Sequence, residues 1–84
     1  MRIVFTRHSE KKFQDLKNLG VKVKKSFIKS VLKNPLHVDS ESDHPNKIAS
    51  GKFSKEHLLR VVFREENDII IVITFYPARK GRYF

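Results

Sequence analysis

The chain has 84 residues, 18 lysines and arginines against 9 acids, a net charge of +9 and no cysteine. Disulfide staples and thiolate metal sites are thereby excluded, and the length allows one small core in a single domain, residues 1–84. No apolar run approaches a membrane span and the N-terminus lacks a signal peptide's long apolar region, so a soluble, cytoplasmic protein is expected.

Taken in order, Arg2 to Phe5 reads as a short apolar strand. Thr6 is placed to cap a helix from Arg7 to Leu19, because its hydroxyl can accept an orphan backbone N–H. Phe13, Leu16 and Leu19 would form the buried stripe of that helix, and Gly20 would end it. A second helix is predicted from Val23 to Lys33. Phe27, Ile28, Val31 and Leu32 share one face, and Lys22, Lys25, Lys29 and Lys33 line the other. Asn34-Pro35 stops it, since proline disfavours a helical residue before it. With one glycine region between them, the helices are expected to form an antiparallel pair.

Leu36 to Pro45 is polar and acidic and reads as a loop, with room for a short extended piece at Leu36 to Val38. Asn46 to Phe53 is a weak strand. His57 to Tyr76 is the strongest signal, a β-hairpin whose polar turn is Glu65 to Asp68 and whose second arm is an apolar run bounded by Pro77. Alternation puts Leu59, Val61 and Phe63 on one face of the first arm, and Arg60 and Arg64 on the other. The fold class is therefore α+β: two N-terminal helices on one face of a roughly four-stranded antiparallel sheet, ordered β-α-α-β-β-β.

The charge is uneven. Residues 1–34 carry +8, residues 35–56 carry −1 and residues 57–84 carry +2. A domain this basic attracts polyanions, nucleic acid first, with an acidic protein or an anionic membrane surface behind it.

Thr6-Arg7-His8-Ser9 opening a helix, Gly20-Val21, Val31-Leu32-Lys33-Asn34-Pro35, Leu59-Arg60-Val61-Val62-Phe63, Ile71-Val72-Ile73-Thr74-Phe75-Tyr76 and Arg82-Tyr83 together resemble a family of small prokaryotic domains related to the RelE/ParE toxins. Nearly the whole chain takes part, and order and spacing carry the likeness. The resemblance implies a RelE-like fold and the toxin of a toxin–antitoxin pair. It implies a metal-independent endoribonuclease cutting mRNA, in some members on the ribosome, and neutralised by an acidic antitoxin. By position it implies His8, Arg60, Arg79 and Tyr83 as site residues, with Arg64 and Tyr76 beside them. A ParE-like member would instead inhibit a topoisomerase by binding it.

Metal-free RNA cleavage needs a base for the 2′-hydroxyl, an acid for the departing oxygen and cations for the phosphorane. His8 suits either proton role, since imidazole as a side-chain type can both take up and release a proton near neutral pH. Arg60 and Arg79 suit phosphate, because a guanidinium forks two hydrogen bonds onto its oxygens. Tyr83 can stack on a base or donate a proton. Lys11, Lys12, Lys22, Lys25, Lys29, Arg64, Lys80 and Arg82 are the candidate RNA-binding cations, with Arg64 also placed to pair with Glu65, Glu66 or Asp68. A non-catalytic nucleic-acid-binding module needs only these cations. His37, His44 and His57 lack metal-ligand spacing, so neither metal nor cofactor is expected.

Overall fold

A computed structural model describes residues 2–81. The first strand, β1 (Arg2–Phe5), leads into α1 (Arg7–Asn18), then α2 (Lys25–Lys33), β2 (His37–Asp39), β3 (Lys47–Lys52), β4 (His57–Glu66) and β5 (Ile69–Arg79). The fold is α+β. Its sheet has five strands in the order β1-β5-β4-β3-β2 and is mixed, because β1 lies parallel to β5 while every other pair is antiparallel. The expected four-stranded antiparallel sheet is corrected on both counts. Alternation along a strand tells which residues share a face, but neither its neighbour nor its direction. Ile3 and Phe5 reach the helix side by joining Ile70 and Val72 on the free edge of β5. β2 has only three residues, too few for a periodic signal, and exists by pairing with β3.

Local chemistry explains the boundaries. The Thr6 hydroxyl accepts the Ser9 N–H at 3.1 Å and donates to the Ile73 carbonyl at 3.2 Å, so one side chain both caps α1 and ties it to β5. Gly20, at φ +85°, closes α1: its N–H donates to the Lys17 carbonyl and the Val21 N–H to that of Leu16. Those two bonds are the paired closure in which a left-handed glycine follows the last helical turn. Asn67 and Asp68, both at positive φ, form the two-residue turn joining β4 to β5, the geometry that matches the twist of the flanking strands. β5 runs past Pro77 to Arg79. Proline is tolerated there because β1 ends opposite Val72, leaving the far half of β5 as an edge.

The core lies between helices and sheet. Leu16, Val23, Ile28 and Val31 meet Ala49, Leu59, Val61, Phe63, Val72 and Phe75, all buried. The expected stripe of α1 is partly corrected: Leu16 is buried and Phe13 packs against the core, but Leu19 is 78% exposed. Leu19 is the cap residue, where the chain is already turning away; Ser9, fully buried, takes a place on the inner face instead. The stripe of α2 is as expected, with Ile28 and Val31 buried and Phe27 and Leu32 packed at its margins. Each helix packs on the sheet, α1 over β5 and β1 and α2 over β3 and β4. An ion pair of 2.7 Å from Lys25 Nζ to Glu10 Oε1 links them. No helix among the described residues is long and apolar enough to cross a membrane.

Candidate nucleic-acid interface

Burial alternates along the segment leading into α2, which reaches an extended backbone at Lys24. Val21 and Val23 turn inward, Val23 into the core, while Lys22 and Lys24 are exposed. Lys24 then holds the N-cap position of α2 with no side-chain capping bond, and no acid stands in the first turn. Cations at that end oppose the helix dipole, whose N-terminus is already positive. Further along, Lys25, Lys29 and Lys33 recur every four residues on the exposed face, where like charges repel by roughly 0.2–0.5 kcal/mol per neighbouring pair. Among the described residues Lys22, Lys24, Lys29 and Lys33 make no ion pair, whereas Lys25 is held by Glu10 and lies 5.0 Å from the Phe5 ring centroid. Local stability is thus given up to keep several solvated cations together.

Beside them lies an open groove of about 520 Å³, lined by Lys22, Lys24, Ser26, Phe27, Ser30 and Phe53 together with Val23. Gly51 is what brings its two walls together. A Cβ there would stand 2.7 Å from Val31 Cγ2, so only glycine lets α2 lie this close on β3. Phe53, just beyond β3, then meets Phe27 with ring centroids 5.6 Å apart and planes at 57°. Both rings are half-buried.

The helix-free face of the sheet carries a second polar constellation. His37, Ser50, Arg60 and Tyr76 lie in one cross-strand row through β2, β3, β4 and β5. Arg60 is only 6% exposed. Its guanidinium lies 5.8 Å from the Tyr76 ring centroid, and its Nη2 is 4.0 Å from Asp39 Oδ2. The other Asp39 oxygen accepts the backbone N–H of Glu41 at 2.9 Å and of Ser42 at 3.0 Å. Hydrogen bonds from the Ser42 hydroxyl and N–H, then from the Glu41 N–H, hold this carboxyl at about 2 rather than 3.8, with Arg60 assisting.

A depressed carboxyl pKa stabilises the fold only while the group is ionised in the folded state. Its contribution is complete above about pH 4 and is lost as pH falls through about 2. Thermal unfolding of wild type and Asp39→Asn should therefore differ by a constant interval above pH 4, closing toward pH 2. Asparagine keeps the acceptor oxygen, so the interval reports the charge.

No protein-family model, curated protein or solved structure matches this chain. Function must be weighed from its own geometry. His8 is exposed on the first turn of α1, on the helix side of the sheet, whereas Arg60 lies on the opposite side. The start of α1 is pinned by the Thr6 N–H on the Val72 carbonyl at 3.1 Å. Arg79 stands at the far end of β5, roughly 20 Å along the strand from that point at the usual rise per residue. His8, Arg60 and Arg79 therefore do not line one cleft. Tyr83 and Arg82 lie outside the described residues. Arg64 pairs with Glu66, one of the partners its sequence position suggested.

Of the cations expected to meet RNA, Lys11 is exposed and Lys12 half-buried on α1, Arg79 and Lys80 are exposed at the end of β5, and Lys22, Lys25 and Lys29 are exposed around α2. Only the last three stand beside the groove or on the helix forming its wall. Sequence reasoning missed Lys24, Phe53, Asp39 and Ser50 as site residues. The Val21-Lys22-Val23-Lys24 alternation could have found the first; the others depend on which strands become neighbours. Among the described residues no cluster of three His, Asp or Glu side chains could hold a metal ion.

Proposed function

We propose that this chain is a nucleic-acid-binding domain, with RNA as its first candidate ligand, gripping the phosphate backbone through the lysines around α2. The observation that carries this reading is an aromatic-lined groove flanked by Lys22 and Lys24, with Lys29 and Lys33 exposed on the helix that forms its wall and no carboxylate paired to any of the four among the described residues. Lys24 at the N-cap of α2 opposes the helix dipole, and a bound polyanion relieves that local cost.

The narrower reading is a RelE-like toxin, an mRNA endoribonuclease held in check by an acidic antitoxin. The chain-wide resemblance supports it, as does the arrangement of two helices on one side of a sheet whose central strand carries Arg60. One experiment separates the two. Purified protein is incubated with labelled RNA in EDTA over a range of salt, with and without ribosomes. Intact RNA bound with an affinity that falls steeply with salt supports the binding domain. Fragments ending in 2′,3′-cyclic phosphate support the toxin. Neither binding nor cleavage at low salt contradicts both.

A further inference from the structure

We infer that the groove walled by Phe27 and Phe53 is a slot for one unpaired base, which lies against the contacting ring pair rather than between the rings, so that the domain selects single-stranded over double-stranded nucleic acid. This rests on the nucleic-acid reading and names its ligand more closely. The two rings touch each other at 57° with centroids 5.6 Å apart, and both contribute to the groove wall, so a base would stack on the side of the pair that faces the groove. A groove of about 520 Å³ is within the range of roughly 300–1,000 Å³ typical of small-ligand sites. In a duplex the faces of the bases are hidden by stacking and only their edges are presented. In a single strand any base offers a face to an aromatic ring.

The polar lining fits the same occupant. Lys22 and Lys24 stand on the rim, where the phosphates flanking an inserted base would pass. The Ser30 hydroxyl donates to the Phe27 carbonyl at 2.7 Å, which leaves its oxygen free to accept from a base amino group. Ser26 is exposed in the groove lining, and its hydroxyl can donate or accept. Aromatic walls, hydroxyls within and cations at the lip together describe a base between two phosphates better than an aliphatic side chain.

The test uses the full chain and two probes carrying equal phosphate numbers, a 12-nucleotide oligouridine and a short RNA duplex, followed by fluorescence anisotropy. Phe53→Leu keeps apolar volume but removes the ring, and Phe53→Tyr restores a ring. Phe53→Leu should weaken single-strand binding about tenfold, leave duplex binding unchanged, and be rescued by Phe53→Tyr. Unchanged duplex binding also certifies that the variant is folded. Equal losses on both probes, or no loss on either, would overturn the slot while leaving the nucleic-acid reading standing. Wild type that binds neither probe would end both. If an acidic peptide carrying one tryptophan binds in a Phe53-dependent way while oligouridine does not, the groove is a protein-docking site and the inference fails.

Discussion

Phe75→Ala should destabilise the domain by about 3–5 kcal/mol, the range for removing a fully buried phenyl ring from a packed core. Phe75 is 0% exposed on β5 and stands opposite Val61, itself fully buried, in the register with β4. Its ring centroid lies 4.6 Å from that of Phe13 on α1, so it joins helix to sheet at the centre of the molecule. The Phe13 ring continues to Phe5 on β1 at 5.7 Å. Removing the ring deletes the contact that joins β5 to α1 and leaves Phe13 without its inner neighbour, and β5, held by β4 through this stretch, cannot shift to fill the space. Small domains are stable by about 5–15 kcal/mol, so the variant should be close to unfolding in water. Urea denaturation measures it, with Leu19→Ala as the comparison. Leu19 is 78% exposed, and its loss should lie within about 0.5 kcal/mol of zero.

Leu19 and Phe75 also show what the sequence makes legible. The apolar hairpin from His57 onward announces itself because β4 and β5 are long and their composition is unambiguous. Thr6 and Gly20 mark the ends of α1 because capping is chemistry between near neighbours in the chain. Leu19 has the spacing of a core residue and still faces solvent, since periodicity cannot say at which residue the backbone leaves the helix. The site was less legible for the same reason. Phe27 and Phe53 are 26 positions apart, and they meet only because Gly51 allows α2 to settle on β3. Arg60 and Asp39 come together across two strand pairings, one of which involves a three-residue strand that only tertiary contact creates. Alternation did place Arg60 on the helix-free face; its burial there depends on neighbours that a single strand's pattern does not contain.

The second large effect concerns binding. Replacing Lys22, Lys24 and Lys29 together by glutamate should weaken binding to single-stranded RNA on the order of 100-fold near physiological salt, by deleting three phosphate contacts and adding repulsion. Stability should hold or rise. Glutamate at the N-cap end of α2 complements the helix dipole that lysine opposes, and none of the three lysines loses a paired carboxylate. Lys25 is left in place because Glu10 depends on it. A variant that melts no lower than wild type yet fails to bind separates the two roles of these positions cleanly.

The most direct measurement is the slope of log affinity against log salt for wild type and this triple variant on the same oligouridine. If the α2 lysines are the phosphate grip, wild type should show a steep slope and the variant should lose about two units of it, at about 0.7 per phosphate neutralised on a single strand. Equal slopes in the two proteins, with affinity retained, would place the polyanion on another surface and contradict the account.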